Sequence, residues 1–319
     1  MRIPKKTLYA YRSLIIFIGL LIFLSLLPLP SYVIRILTLM CIFSCLTISW
    51  SLPARADLIS IGHAAFFGVG AYTSALIFLN FRLSPLIGMW IGAALAVVIA
   101  LLVGYPCFKF GVKGLYFAIA TLVMAEGIRL LFITFEDVTG GMNGLSITFL
   151  GNNPLYLQFS DLRLYCIVAC ILLLFSSVIF YEIHNGKLGL FLSAIAENEV
   201  AAASLGVNTL KVKLVIFMVS ALLCALTGAI YAQFAGYISP ATVLSLDLSV
   251  LIILYSIIGG IYSFWGPIFG AFLMVPISEI LRVFLGAYGR DLAWVVYGSL
   301  IIFFMLTKPE GIIRARKGE

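Results

Sequence analysis

The sequence predicts an all-α integral membrane protein, a polytopic bundle of about ten transmembrane helices with both termini cytoplasmic. Three observations lead there. Of 319 residues, 63% are hydrophobic and 10% are charged, and mean hydropathy is +1.17. A soluble domain carries charge on roughly a quarter of its residues. Several apolar runs approach the ~20 residues with which a helix crosses a hydrocarbon core. The basic residues sit in short segments beside those runs and form no single patch, so the net charge of +7 points away from nucleic acid. A spanning backbone must satisfy its own hydrogen bonds, which selects helices. No polar block is long enough for a soluble domain, and residues 1–319 read as one transmembrane domain.

The first span, about 13–29, follows the basic start "MRIPKKTLYAYR". No small-x-small cleavage site follows "LIIFIGLLIFLSLLPLP", so a retained helix is expected in place of a signal peptide. Further apolar runs place spans at about 33–52, 59–79, 85–108, 115–135 and 164–184. The last four lie at about 214–236, 248–262, 266–285 and 292–307. The third, eighth and ninth are short or broken by glycine. With the N-terminus inside, the inner loops collect Arg2, Lys5, Lys6, Arg12, Arg55, Lys109, Lys113, Lys187, Lys211, Lys213, Lys308, Arg314, Arg316 and Lys317. The outside receives Arg35, Arg82, Arg163, Arg282 and Arg290, and Arg129 falls within a span. Ten spans with both ends inside therefore satisfy the positive-inside rule.

The six cysteines lie in apolar runs without a CxxC pair and read as small buried apolar residues. His63 and His184 are too few and too far apart for a zinc site, and no metal is expected.

Two loops stand out. The outer one is "EDVTGGMNGLSITFLGNNPLYLQFSDLR"; the inner one, about 185–213, contains "SAIAENEVAAASLGV". The latter reads as a helix that Ser193 or Asn198 caps, with alanines inside and Gly206 at its left-handed C-terminal position. Glu197 and Glu199 are placed near its N-terminal end, where the helix dipole favours acids. Ala201, Ala202 and Leu205 are expected to form one small apolar face, suited to a groove in a cytoplasmic partner. A helix lying on the membrane would need a basic polar face and larger apolar anchors, which this one lacks.

The stretch "AENEVAAASLGVNTLKVKLVIFMVSALLCALTGAIYAQFAGYISP" resembles the coupling-loop region of permease subunits in ATP-binding cassette (ABC) importers for branched-chain amino acids. Further blocks follow in the same order as in that family: "SIGHAAFFGVGAYTSAL", "GLYFAIATLVMAEGIRL", "TGGMNGL", "GGIYSFWGPIFGA" and "KPEGII". Each is a weak glycine-rich pattern; their order and spacing together are specific. The chain departs from the family at "ARADL", where a Gly-x-x-Gly-Gln run is usual, at Ala196 in place of arginine, and at Tyr262 in place of glycine.

The resemblance implies a transmembrane permease subunit in the bacterial inner (plasma) membrane, with a paralogous permease supplying the other half of the passage. Two cytoplasmic ABC ATPases would bind the coupling helices, and an external substrate-binding protein would deliver cargo. ATP and Mg would be bound by those partners and no cofactor by this chain; nucleic acid is not a partner, and membrane lipid surrounds it. Glu197, Asn198, Glu199, Ala201, Ala202, Leu205 and Gly206 would couple to the ATPase, with the sixth and seventh spans as levers. No Walker A, GxSxG or HExxH motif is present, so no catalytic residue is assigned.

For the passage, the candidates are Gly62, His63, Gly68, Gly70, Tyr72, Thr121, Glu126, Thr139, Gly140, Gly141 and Asn143. The small residues let membrane helices pack closely, and glycine-broken spans can place backbone near a passage. His63 could face that passage or bond a carbonyl. Glu126 and Arg129 can pair along one helix, as can Glu279 and Arg282, which lowers the cost of burying charge. "TGGMNGL" could offer free amides to an anion or serve as a turn. "IIGGIYSFWGP" should make a sharp link between the eighth and ninth spans. Urea, short amides and aromatic acids are alternative cargoes within the importer class. An ion-driven secondary transporter would show matched broken helices in two halves, and no such repeat is evident.

Overall fold

The structure, a computed structural model, describes residues 5–285, 295–296, 298–300, 302–303, 306–307 and 311–313. In chain order the helices are α1 (Lys5–Leu26), α2 (Ser31–Ala54), α3 (His63–Phe81), α4 (Pro85–Lys109) and α5 (Gly114–Thr134). A short α6 (Glu136–Thr139) and the two-residue strand β1 (Leu145–Ser146) follow in the loop. Then come α7 (Leu162–Asn185), α8 (Lys187–Ser204) and α9 (Thr209–Ala235). Strand β2 (Tyr237–Ile238), α10 (Pro240–Val243), α11 (Leu246–Gly259) and α12 (Gly266–Leu285) come next.

Among the described residues eight segments are long and apolar enough to cross a membrane, Pro240–Gly259 counting as one, and Tyr11–Leu26 is a shorter apolar helix. The all-α polytopic bundle is therefore as the sequence predicts. The first nine predicted spans each have a helix; the tenth is described only in part, and Arg2, Arg290, Lys308, Arg314, Arg316 and Lys317 of the charge tally lie outside the described residues.

Local chemistry sets the helix starts. Ser84 accepts from the Leu86 amide at 3.3 Å, with Pro85 in the first turn; Asp161 accepts from Arg163 at 2.9 Å. Asn208 accepts from Lys211 at 3.0 Å and Ser245 from Leu248 at 3.2 Å. Each supplies an acceptor to an otherwise unpaired first-turn amide.

Helix α9 sits at the centre, packed chiefly against α3 and α4 and then α2. Glycines bring its backbone into contact with α3. A Cβ on Gly228 would stand 2.0 Å from the Phe67 carbonyl oxygen, and one on Gly70 would stand 2.0 Å from that of Ala225. Close approach of small residues is how membrane helices associate where lipid offers no hydrophobic drive.

The loops gather at two opposite ends. At one, β1 and β2 pair antiparallel, joining the loop after α5 to the segment after α9, and Ser84 donates to the Leu155 carbonyl. At the other, the α2–α3, α4–α5, α7–α9 and α11–α12 connections meet. There Arg55 reaches the Ile261, Tyr262 and Ser263 carbonyls, and Ile312 and Ile313 donate to Ile258 and Gly259. This is the alternation that the charge tally requires.

Several boundaries differ from the sequence reading, and α1 itself begins at Lys5 and ends at Leu26 where a span at about 13–29 is expected. The third span was expected from about 59, but residues 55–62 form a largely buried loop and α3 begins at His63. Helix α9 begins at Thr209 instead of about 214, because Lys211 and Lys213 lie inside it. Helix α11 stops at Gly259, where Gly260 takes a φ of +108°.

Candidate functional site

The inner loop is mostly helix, and α8 is two helices in series. Asn198 has extended angles, φ −159° and ψ 105°, so one segment ends at Glu197 and a second starts at Glu199. Asn198 Oδ1 accepts from the Ala201 amide at 3.1 Å and caps the second segment, whereas Ser193 donates to the Gly189 carbonyl within the first. The second segment ends at Gly206, with φ +87°. The Gly206 amide donates to Ala203 at 2.9 Å and the Val207 amide to Ala202 at 3.1 Å, the paired closure of a glycine-terminated helix.

The expected apolar face divides in two. Leu205 is 85% exposed and Val200 72%, with Ala201 and Ser204 beside them, while Ala202 is 2% exposed and packs into the bundle. Ala202 shares the inward stripe with Glu199, three residues before it. The two acids divide as well. Glu197 is exposed at the last position of the first segment, the unfavourable end of its dipole; Glu199 opens the second segment, at the favourable end.

Glu199 is also bound from within. Its Oε2 lies 2.6 Å from Lys113 Nζ and its Oε1 lies 2.5 Å from Lys213 Nζ. Burial pushes the Glu199 carboxyl up, but the hydrogen bonds from Lys113 and Lys213 outweigh it and hold it below the ordinary carboxylate range. It is charged at neutral pH.

The passage candidates are spread over α3, α5 and the loop after α5, and the two helices meet at Gly62 with Thr121 and at Tyr72 with Phe132. A Cβ on Gly62 would stand 2.1 Å from the Thr121 carbonyl oxygen, and the Thr121 hydroxyl accepts from the Ile61 amide at 3.1 Å. His63 is fully buried. Ser220 Oγ gives its hydrogen to the Ser49 carbonyl at 2.7 Å, so His63 Nε2 donates to Ser220 at 2.8 Å and Nδ1 accepts from Ser60 at 3.1 Å. His63 thus bonds hydroxyls in this conformation and faces no open passage. Gly68 lies against Leu244, and Gly70 against α9. Tyr72 is buried against Phe132, and its hydroxyl has no hydrogen-bond partner among the described residues.

Glu126 and Arg129 pair bidentately, with the Glu126 side chain 37% and the Arg129 side chain 30% exposed. They stand on α5, the least enclosed of the spans. Beyond its C-terminal end Gly140, Gly141 and Gly144 take φ of +73°, +54° and +71°. The amides are consumed internally: Gly140 donates to Glu136, Gly141 to the Thr139 hydroxyl, and Asn143 and Gly144 to Gly140. "TGGMNGL" is therefore a turn, with buried Thr139 pinning it to Phe135 and exposed Asn143 accepting from the Tyr237 hydroxyl.

Sequence reasoning missed Lys113, Lys213 and Arg55 as members of these clusters. Lys213 had a detectable signal, a charge inside the first turn and a half of a long apolar helix. Arg55 and Lys113 had none, because their partners are distant in the chain.

Residues 32–305 match the family described as "Branched-chain amino acid transport system / permease component". The chain belongs to this permease family. It is similar to the high-affinity branched-chain amino acid transport system permease protein LivM of Escherichia coli (strain K12), 27% identical over 81% of this chain and 64% of that protein. It is also similar to LivH of Salmonella typhimurium, 22% identical over 80% of this chain and 85% of that permease. The ribose import permease protein RbsC of Haemophilus influenzae is 23% identical over 65% of this chain and 61% of its own length. The chain thus spans about 64% of the length of the Escherichia coli and Salmonella typhimurium LivM permeases. No solved structure matches.

Proposed function

We propose that the chain is the transmembrane permease subunit of an ABC importer that moves branched-chain or other hydrophobic amino acids across the bacterial inner membrane. Family membership supports the transport role, and LivM and LivH carry branched-chain amino acid transport in their names. In this reading the chain is no enzyme. ATP is hydrolysed with Mg in two cytoplasmic ABC subunits, and an external binding protein supplies cargo to the loop end that holds β1 and β2. A related permease completes the passage against α5. The Glu126–Arg129 pair supports that placement, because a charged pair left against hydrocarbon is costly and one facing a protein or a polar passage is not.

The observation that carries the coupling role is the second segment of α8, a short capped helix with Val200 and Leu205 projecting from the bundle. Protruding apolar side chains on a rigid, alanine-rich helix fit a groove of a cytoplasmic ATPase. Closing and opening of that groove during hydrolysis would move the segment, and alternating access follows if the two states contact it differently.

Gly206→Trp and Leu205→Asp test this. No atom lies within 4 Å of a Cβ built on Gly206, so the bulk projects outward and the chain itself tolerates it apart from a backbone strain of about 1–2 kcal/mol. Both variants are expected to insert normally, to lose co-purifying ATPase, and to lose leucine uptake. Unchanged uptake in both would remove the coupling role. Competition among leucine, urea and benzoate for the external binding protein identifies the cargo.

A further inference from the structure

The second segment of α8 meets the bundle through buried Ala202 and through one carboxylate that holds two cations, one from α9 and one at the start of α5. Lys213 belongs to α9, and its side chain is 4% exposed; Lys113 is 53% exposed and forms the N-cap residue of α5. The Lys213 ammonium also stands 6.0 Å from the centre of the Phe108 ring in the last turn of α4. Chain connectivity already links α8 to α7 and α9. It does not link α8 to α5, which is separated from it by the outer loop and the whole of α7. The Lys113–Glu199 contact therefore supplies a path that the backbone lacks, and it ends at the inner end of the span that carries Thr121, Glu126 and Arg129.

Two glycines flank Lys113, Gly111 two residues before it and Gly114 immediately after, and make that end a pivot. Gly111 takes φ +69° in the glycine-terminated end of α4, where its amide donates to Phe108 and that of Val112 donates to Cys107. Gly114 takes φ +52° at the first position of α5. A lysine between two left-handed glycines sits on a stretch of backbone able to turn while its side chain stays held. A displacement of Glu199 is thus delivered to α5 at its base and to α9 one turn from its start.

We propose that Glu199 is a positioning residue that faces away from the ATPase and transmits its movement, through Lys113 and Lys213, to α5 and α9 together. This rests on the docking role of Val200 and Leu205 given above. It assigns the two acids of the coupling segment to opposite duties: Glu197 is available to the partner and Glu199 to the chain's own passage helix.

The test uses the chain co-expressed with its ATPase, second permease and binding protein, purified and reconstituted into proteoliposomes. Three quantities are read: ATPase retained on the permease, basal ATP hydrolysis, and radiolabelled leucine taken up per ATP. Lys113→Ala removes an exposed cation and leaves Lys213 paired, so folding is preserved. It is expected to retain the ATPase and basal hydrolysis while uptake per ATP falls about tenfold. Lys113→Arg should restore coupling, and Glu199→Gln should resemble Lys113→Ala. Leu205→Asp should instead lose the ATPase. Unchanged uptake per ATP in Lys113→Ala or in Glu199→Gln overturns the proposal, as does loss of the ATPase from Lys113→Ala. Retention of the ATPase by Leu205→Asp sinks the docking role itself, and the proposal with it.

Discussion

Arg55 shows what a single side chain does in a bundle with little water. It is 6% exposed, donates through Nε and Nη2 to three carbonyls of the α11–α12 link, contacts His184 and lies 4.5 Å over the Phe180 ring. Burial pushes its guanidinium down to about 10, so it remains cationic at neutral pH. No carboxylate pairs with it among the described residues; carbonyl dipoles and an aromatic face surround it. Arg55→Met would leave those carbonyls without their donors, at a cost of about 2–5 kcal/mol. The expected outcome is a lower unfolding midpoint for the detergent-solubilised chain, with insertion intact. An unchanged midpoint would mean that water reaches the link and replaces the arginine. Nothing in the sequence marks Arg55 apart from other basic residues beside a span. Its partners lie more than a hundred positions away, and three of them are main-chain carbonyls, which have no residue signature.

At the scale of elements, hydropathy locates depth in the membrane well and backbone conformation less well. Residues 59–62 are apolar enough to extend the third span, yet they form a loop because other groups answer their polar atoms. Trp50 Nε1 donates to the Ser60 carbonyl at 2.7 Å, Thr121 accepts from Ile61, and Ser249 accepts from Ala64 at 3.0 Å. Irregular backbone at such depth is tolerated where protein satisfies it. Lys213 misled in the opposite sense. Its charge shortened the seventh span in the sequence reading, but pairing with Glu199 lets it lie buried inside α9. In the coupling segment the cap and the terminating glycine were legible from residue type, while the face directed at the partner was not. That face depends on a break at Asn198 that shifts the helical phase. The α3–α9 contact offers a sharper test. Gly228→Val would drive side-chain atoms into the Phe67 backbone, where a Cβ alone has 2.0 Å of room. Main chain cannot rotate aside as a side chain can, so loss of folded, monodisperse protein is expected. Gly127→Ala, on α5 with open space around its Cβ, should behave as the parent. Equal stability of Gly228→Val and the parent would mean the two helices are not in contact.

For the whole molecule, opposite loop ends should face opposite compartments. Met142 is 76% exposed at the end holding the β ribbon, and Leu205 projects at the other. Five of the six native cysteines are buried and Cys107 is half-buried, so an introduced thiol stands out against a low background. In intact cells a membrane-impermeant maleimide is expected to label Met142→Cys and to spare Leu205→Cys until the membrane is opened. The reverse pattern would invert the orientation derived from the basic residues. Labelling of both from outside would contradict the alternation of loops.

The small ribbon of β1 and β2 has a mechanical corollary. Backbone bonds between Leu145–Ser146 and Tyr237–Ile238, with the Tyr237 hydroxyl on Asn143, splice the exit of α5 to that of α9. The far ends of these two rods cannot be prised apart without unzipping the splice, whereas their near ends are joined by side chains alone, through the Lys113–Glu199–Lys213 bridge. Any bending that widens the gap between them has to originate below the splice, so the pair should open like tongs riveted at the outer tip.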